Sequence, residues 1–280
     1  MNKSEWIRVT KDEPCKICDH GDWCCVTSDG RLANCMRIES DKPCKNGGWL
    51  YKLDGDTKPK YYLPKAKAKV ADVNFYKLAK DYFCGCLSTA NPLAERLGVS
   101  EDSLQRLGTG FDGKNYVFPM WDGKRKMIGM RLRTPDGKKF SVTGSKNGLF
   151  WPQLVKSDSK NLLFICEGPT DCAALLDLGF DAIGRPSCSG GTEHIKTMLT
   201  GHDKQVVIFS DKDEAKTRPD GKTFRPGQEG AARLAKEILP LCRWVKIIKP
   251  CKGKDVRQWV LAGATRPMVE AVIRNTKFYK

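Results

Sequence analysis

The sequence predicts an α/β protein in three parts, and three observations lead to that class. Six of the 13 cysteines fall between Cys15 and Cys44, which indicates a small unit held together by a metal ion. The middle of the chain has short apolar runs separated by Asp-Gly turns, a pattern typical of antiparallel strands. The last part alternates apolar runs with helical patterns, which is typical of a parallel sheet with crossover helices.

The cysteine-rich unit, residues 1–56, is predicted to be a zinc ribbon. Cys15 and Cys18 form a Cys-x-x-Cys knuckle, while Cys24 and Cys35 flank a predicted hairpin, so four thiolates can surround one tetrahedral Zn²⁺. A piece this short buries too little apolar surface to fold alone, so it needs a structural metal. The alternative ligands are Cys25, Cys44 and His20.

The net charge of +16 indicates a polyanionic partner. The chain has 49 Lys and Arg against 33 Asp and Glu, and the excess is spread along it. Nucleic acid is the commonest polyanion that such a field attracts. No apolar stretch reaches the ~20 residues that span a bilayer, and the first ten residues lack the apolar segment of a secretory signal. We therefore expect a cytoplasmic protein with no membrane partner.

The next two segments differ in character. Residues 57–72 are predicted to be a basic linker, because they hold two prolines and regularly spaced lysines without an apolar period. Residues 73–156 are predicted to begin with helices and to end in an antiparallel meander. Arg131 and Arg133 share one face of its middle strand, so that face cannot be core. We predict a phosphate-binding face, the alternative being an ordinary solvated one. Its predicted members are Lys124, Arg125, Arg131, Arg133, Lys138, Lys139 and Lys146.

Acidic residues follow two of the four predicted strands in the third unit, residues 157–262. Glu167 follows the strand at 161–166, and Asp211 and Asp213 follow the strand at 205–210. Parallel strands bring their carboxyl ends to one edge of a sheet, where ligands bind. Carboxylate oxygens are the ligands that Mg²⁺ prefers, and two such ions can clamp both oxygens of an in-line displacement. We predict a Mg²⁺ or Mn²⁺ site made of these acids.

Further residues near this edge are predicted to contact metal, nucleotide or template. Asp171 lies one helical turn after Glu167, and Asp255 follows Lys254 after the fourth strand. Gly190 lies where a helix begins, and free backbone N–H groups at such a position bind anions.

Two segments complete the third unit and the chain. Residues 214–226 form a polar insertion with two prolines, which predicts a loop over the acidic edge. Residues 263–280 are predicted to form a C-terminal helix.

Three motifs of the third unit resemble the TOPRIM domain. Glu167-Gly168-Pro169-Thr170-Asp171-Cys172-Ala173 resembles its Glu-Gly-x-x-Asp-x-x-Ala signature, Asp211-Lys212-Asp213 resembles its Asp-x-Asp, and Gly230-Ala231-Ala232-Arg233-Leu234-Ala235 resembles the segment that follows. A zinc ribbon, a basic unit with Phe118-Pro119-Met120, and TOPRIM in this order are similar to bacterial and phage DnaG-type primases. The expected fold is thus a zinc ribbon, a mixed α+β basic subdomain and a TOPRIM-type parallel-sheet domain.

The resemblance implies an enzyme that makes short RNA primers on single-stranded DNA from ribonucleoside triphosphates. It implies that Glu167, Asp211 and Asp213 hold the catalytic Mg²⁺, with Glu167 also a candidate base for the 3′-hydroxyl. The ribbon would help to read the template. A replicative helicase or another replication protein would act in trans in a bacterial cell.

Two departures from the family pattern stand out. The second pair of zinc ligands is spread to Cys24 and Cys35, where common bacterial primases have a closely spaced pair, as expected of a phage or plasmid variant. The insertion at 214–226 separates the Asp-x-Asp from the Gly-Ala-Ala segment.

Other TOPRIM proteins are alternatives. A TOPRIM nuclease uses the same metals but does not need the ribbon and basic meander in this order. A non-catalytic zinc-ribbon DNA-binding protein, like the recombination mediator RecR, has a helix-hairpin-helix that this sequence does not show. A topoisomerase needs an additional domain for its active tyrosine.

Overall fold

The computed structural model describes residues 5–44, 47–53, 73–84, 90–153, 161–218 and 221–280. It divides the chain into two compact units, Met1–Ala71 and Asp72–Lys280. The predicted linker at 57–72 lies outside the described residues. Within the described parts, no helix is both long enough and apolar enough to cross a membrane.

The first unit is a four-stranded antiparallel sheet with a small core. The strands are β1 Trp6–Arg8, β2 Cys25–Thr27, β3 Leu32–Cys35 and β4 Trp49–Lys52, in the order β1-β2-β3-β4. The hairpin between β2 and β3 closes where Thr27 Oγ1 donates to Asp29 Oδ1 and Gly30 adopts a φ of 68°. Three cysteines make up half of the six-residue core, which fits a unit whose stability depends on a bound metal.

The second unit opens with three helices and an antiparallel sheet. The elements are α1 Phe75–Cys84, α2 Ala90–Leu97, α3 Glu101–Arg106, β5 Gly110–Phe111, β6 Tyr116–Trp121, β7 Met127–Arg133 and β8 Lys139–Ser141. Ser100 caps α3, as its sequence pattern predicts, by accepting a hydrogen bond from the Ser103 amide. Met130 and Leu132 are buried on one face of β7, which leaves Arg131 and Arg133 on the other.

A parallel sheet of four strands follows. Its strands are β9 Leu162–Glu167, β10 Ala182–Arg185, β11 Gln205–Phe209 and, after a short hairpin of β12 Lys216–Thr217 and β13 Thr223–Phe224, β14 Trp244–Ile248. The spatial order is β10-β9-β11-β14, with every pair parallel. The helices are α4 Gly168–Asp177, α5 Thr192–Leu199, α6 Pro226–Ile238, α7 Val256–Leu261 and α8 Arg266–Asn275. The α/β class with a parallel sheet is therefore confirmed.

One hydrophobic core joins the antiparallel sheet to the parallel sheet. Phe118 of β6 packs edge-on against Phe150 with ring centroids 6.4 Å apart, and both belong to the cluster that contains Phe164 of β9. The Phe150 amide donates to the Gly184 carbonyl of β10 at 2.9 Å, and the Gly184 amide returns the bond at 3.0 Å. The two sheets of the second unit therefore pack as one body.

The structure corrects two of the local predictions. A loop was predicted for the insertion at 214–226. The structure instead shows a short hairpin there, in which Lys216 pairs with Phe224 and Thr217 with Thr223. The C-terminal helix stops at Asn275 instead of continuing to Lys280. Lys246 Nζ donates to the Ile273 carbonyl near the end of this helix, and the Tyr279 amide donates to the Val245 carbonyl beside β14.

Candidate active site and cysteine cluster

Four cysteines of the first unit converge on one point. The Sγ atoms of Cys15, Cys18, Cys24 and Cys35 all lie within 4.8 Å of one another, and three of the four side chains are buried. Four sulfur ligands at such spacing match the donor set of a structural Zn²⁺. The alternatives Cys25, Cys44 and His20 are not members of this group.

Backbone amides are directed at these sulfur atoms. The Met36 amide donates to Cys24 Sγ and the Ile38 amide to Cys35 Sγ, each at 3.3 Å. Such bonds favour the thiolate, which is the form that binds metal. Burial opposes ionisation of Cys18, yet a backbone hydrogen bond from His20 and the neighbouring thiols lower its pKa to about 7. Burial raises the pKa of Cys24 and Cys35, so a bound cation is needed to keep all four ionised.

The acidic edge of the parallel sheet encloses a cleft of about 400 Å³. Glu167 at the end of β9 and Asp211 just after β11 line it together with Asp171 and Asp255. Basic groups complete its wall. They are Arg133, Lys139, Lys254 and Arg257. The cleft therefore combines carboxylates with cations, the two kinds of group that a metal-bound phosphate needs.

The strand end fixes the position of Glu167. It is the last residue of β9 and the N-cap position of α4, and Gly168 turns the chain into the helix with a φ of 80°. In the parallel register Arg185 of β10 lies opposite Glu167. The side chain of Arg185 is only 3% exposed and its Nε donates to the Gly190 carbonyl at 2.9 Å. A buried cation thus stands beside the Glu167 carboxylate.

The acids of the cleft are hard to ionise together. Burial raises the pKa of Asp211 to about 7, and the charges of Glu167, Asp255 and Asp213 add to that rise. Burial also raises the pKa of Glu167, against the charge of Arg185. Asp171 is buried, and its pKa is raised well above the ordinary value by burial first and by Asp255 next. A cation bound here would relieve this repulsion.

Asp213 behaves differently from Asp211. Its Oδ1 lies 3.1 Å from Lys254 Nζ, and its Oδ2 accepts a hydrogen bond from the Gly227 amide at 2.8 Å. Both oxygens therefore have partners, whereas no hydrogen bond from a described residue reaches the carboxylate of Glu167 or Asp211. Asp171 accepts from the Arg257 amide and Asp255 caps α7 through the Gln258 amide. The two free carboxylates are the ones that can turn to a metal without breaking a bond.

The donor set fits Mg²⁺ or Mn²⁺ held by few protein ligands. Among the described residues, the cysteine cluster is the one group of three or more His, Cys, Asp or Glu side chains close enough to share a metal ion, so the acids of the cleft do not form such a group by themselves. Mg²⁺ usually takes one or two carboxylates and completes its shell with water and substrate phosphates. Glu167 and Asp211 can supply these carboxylates, with Asp213 available if Lys254 moves away.

The predicted basic face is only partly assembled at the cleft. Arg133 and Lys139 line it, and the Nε atoms of Arg131 and Arg133 are buried without a hydrogen-bond partner among the described residues. Burial lowers the pKa of Arg133, as do the charges of Arg96 and Arg257. An anion in the cleft would satisfy this guanidinium, because a buried donor without a partner is costly.

Other predicted residues lie elsewhere. Arg125 stacks over the Trp151 ring at 4.5 Å and lines a second cavity beside residues 181–183, where β10 begins. Lys138 pairs with Asp136, while Lys124 and Lys146 are exposed near the start of β7. The Gly190 carbonyl accepts from Arg185 Nε, and its amide, which was predicted to bind an anion, donates to the Ser187 carbonyl at 3.2 Å.

Sequence reasoning missed two cations at the acidic edge. Arg185 ends β10, so the strand-end argument that selected Glu167 would have selected it as well. Arg257 follows Asp255 in the first turn of α7, and its Nη1 donates to the Leu97 carbonyl at 3.1 Å.

Solved structures with the same arrangement of elements are primases. The E. coli primase catalytic core aligns with a TM-score of 0.54 and 17% identity over 72% of this chain and 79% of that one. The chain has the fold of DnaG primase catalytic cores. A DnaG primase catalytic domain bound to ssDNA gives a TM-score of 0.56 with 17% identity, covering 72% of this chain and 77% of that chain.

A third DnaG-like structure has a zinc-binding domain. The Aquifex aeolicus primase with zinc-binding and RNA polymerase domains gives a TM-score of 0.57 with 12% identity, over 73% of this chain and 60% of that chain. No family model matches the sequence, and the search of curated proteins gave no match. At these identities the likeness concerns the fold, and the predicted DnaG-type fold is confirmed at that level.

Proposed function

We propose that this protein is a DNA primase that makes short RNA primers on single-stranded DNA by metal-assisted nucleotidyl transfer. The observation that carries the proposal is the pair of unpartnered carboxylates, Glu167 and Asp211, at the ends of adjacent parallel strands in a fold shared with primase cores. Arg133 and Lys139 face them across the same cleft.

The acidic and the basic residues that line the cleft have different proposed roles. Glu167 and Asp211 would hold the ions and, once ionised, would offset part of their charge. Asp213 would be a further ligand if Lys254 moved from it to a phosphate. The ions, when bound, polarise the α-phosphate and lower the pKa of the attacking hydroxyl. Arg133 and Lys139 bind the triphosphate oxygens and hold the α-phosphate in line with the attacking 3′-oxygen.

Glu167 is also the proposed proton acceptor. Burial raises the pKa of this carboxylate, which makes it a better base than an exposed glutamate, while the Arg185 charge favours its ionised form. The proton of the 3′-hydroxyl passes to a Glu167 oxygen as the new P–O bond forms, and pyrophosphate leaves.

The zinc ribbon is proposed to contribute template contacts. Its four-cysteine cluster fits a structural Zn²⁺, and the exposed Trp23 and Trp6 offer flat surfaces on which bases can stack. A replicative helicase or another replication protein is proposed as a partner in trans.

One incubation tests the activity. The chain is mixed with single-stranded DNA templates, labelled ribonucleotides and Mg²⁺ or Mn²⁺. New short RNA supports the primase, a shortened template indicates a TOPRIM nuclease, and a mobility shift without either indicates a DNA-binding protein.

A matched pair of variants tests the site. Asp211→Ala is expected to abolish RNA synthesis with DNA binding retained. Asp203→Ala removes an exposed acid before the other end of β11, where it pairs with Arg243, and is expected to leave synthesis unchanged. Robust synthesis by Asp211→Ala would refute the proposed mechanism.

A further inference from the structure

We propose that the described residues of the β12–β13 hairpin, 214–218 and 221–225, bind the phosphate backbone of the nucleic acid strand that leaves the cleft. This inference rests on the proposed function, because it assigns to the hairpin the part of template or product that lies beyond the catalytic acids. The proposed function assigns no residue of the hairpin to the metal site, to the triphosphate contacts or to the zinc ribbon.

The root of the hairpin is fixed to the acidic edge. The hairpin segment begins directly after Asp213, which lies four residues beyond the end of β11 at Phe209, and it joins α6 at Pro226. The Gly227 amide donates to Asp213 Oδ2, so the two ends of the segment meet beside a candidate metal acid. A Cβ atom at Gly227 would lie 3.2 Å from Asp211 Cβ, which shows how closely this turn approaches the other acid. A strand held in the cleft must therefore pass near the hairpin.

The described hairpin residues are almost wholly exposed. Within 214–218 and 221–225, only Phe224 is partly buried, and none belongs to a hydrophobic cluster. A two-stranded hairpin without a buried face is barely stable by itself. The fold therefore gains little from this segment, and its side chains face solvent.

Arg218 holds the hairpin in one orientation. Its guanidinium pairs with Glu229 of α6 and lies over the Phe224 ring at 4.8 Å. The Arg218 amide donates to the Lys222 carbonyl at 2.8 Å. The contacts of Arg218 are with the hairpin itself and with Glu229 of α6. They therefore orient the hairpin without connecting it to the hydrophobic core.

The hairpin segment carries a net positive charge. The segment has four basic and two acidic residues, an excess of two positive charges. Lys216 and Arg225 are exposed, and neither pairs with a carboxylate among the described residues. Exposed cations of this kind attract phosphate groups.

The position of these cations decides which phosphates they meet. No described residue of the hairpin lines the cleft, so its cations lie outside the walls that would hold the triphosphate. From Glu214 to Arg218 the hairpin extends by about 13 Å at ~3.3 Å per residue, which matches roughly four nucleotides of a stacked strand. The geometry points to the strand outside the cleft.

The test compares two double variants with equal charge loss. Lys216→Ala/Arg225→Ala removes the unpaired cations of the hairpin. Lys236→Ala/Arg274→Ala removes exposed cations of α6 and α8. Circular dichroism checks that both variants fold. Fluorescence anisotropy then measures affinity for a 20-nucleotide DNA strand, alone and paired with an 8-nucleotide RNA, between 50 and 200 mM salt.

The expected result is a change in salt dependence. Loss of two phosphate contacts makes the slope of log K against log salt shallower by about 1.4 on the single strand and by about 1.8 on the paired strand, so between 50 and 200 mM salt the affinity of wild type falls roughly 7-fold and 12-fold more, respectively, than that of the hairpin variant. If the hairpin variant loses affinity for both nucleic acids, the contact is with the template strand. If it loses affinity for the paired strand alone, the contact is with the RNA–DNA hybrid. Equal slopes for the hairpin and control variants would overturn the inference.

RNA synthesis gives a second readout. The hairpin variant is expected to form the first dinucleotide at the wild-type rate and to release shorter products after about four nucleotides. A raised KM for nucleotides in dinucleotide formation would instead assign the hairpin to the triphosphate and would also overturn the inference. The binding experiment needs no synthesis, so a protein that makes no RNA would contradict the proposed function alone.

Discussion

Arg185 lies opposite Glu167 in the parallel register of β10 and β9, and its buried guanidinium lowers the pKa that burial of the glutamate raises. We predict that Arg185→Met raises the pKa of Glu167. The acid limb of the pH–rate profile for RNA synthesis should then move to higher pH, because the carboxylate needs less acid to be protonated. Arg185→Lys keeps the charge and should move the limb less. Identical profiles for the methionine variant and wild type would argue against this electrostatic coupling.

The stability of the protein without Mg²⁺ should depend on Asp211. Its pKa is about 7 in the folded chain, above the ordinary value of 3.8, so the folded state binds the proton more tightly than the unfolded state. The contribution of Asp211 to the free energy of unfolding is fully present below about pH 4. It is lost as the pH rises through about 7.

We expect zinc-loaded protein without Mg²⁺ to lose up to about 3 kcal/mol of unfolding free energy between pH 5 and pH 8 from this group. Urea unfolding at the two pH values measures the loss, and Asp211→Asn should remove most of it. Added Mg²⁺ should restore stability at pH 8 in wild type more than in the variant. An equal pH dependence in the two proteins would mean that Asp211 is not the responsible group.

Gly227→Ala should separate metal affinity from stability. The new Cβ would lie 2.9 Å from Asp213 Oδ2, so the carboxylate must shift, while alanine favours a helix over glycine by about 1 kcal/mol. We predict weaker Mg²⁺ activation, seen as a higher half-saturating concentration, with unfolding free energy unchanged or increased. Gln228→Ala, the next helix position, serves as control and should leave Mg²⁺ activation unaltered.

The zinc assignment predicts a contrast among cysteines. Cys35→Ser removes a member of the four-sulfur cluster and should abolish stoichiometric zinc binding and unfold the first unit. Cys44→Ser changes a cysteine outside that cluster and should retain one zinc per chain. Metal analysis by mass spectrometry measures both. Loss of zinc in the two variants alike would show that Cys44 is also a ligand.

The sequence predicted those features that depend on neighbours along the chain. Glu167 and Asp211 could be assigned to one edge because an apolar run of strand length ends beside each acid, and parallel strands align their carboxyl ends. The four cysteines followed from knuckle and hairpin spacing. The basic meander was less predictable, since Arg125 sits in a tight turn with a φ of 62° that directs it to a different cavity from Arg133.

Contacts between distant segments could not be read from the sequence. Lys254 reaches Asp213 from the loop after β14, and Arg257 presents its amide to Asp171, so both pairs exist only once the sheet is assembled. The hairpin at 214–225 escaped prediction because its strands are two residues long and polar, without the alternation that marks a strand.

Phe118, Phe150 and Phe164 share one hydrophobic core, so the second unit should not divide into stable fragments. Because the basic wall and the acidic wall of the cleft are two sides of one packed interior, the second unit should unfold in a single cooperative transition. A fragment cut between residues 153 and 161 would expose that interior on both halves and should aggregate. The width of the cleft is accordingly a property of side-chain packing, and substitutions at Phe150 should alter nucleotide affinity without touching the nucleotide.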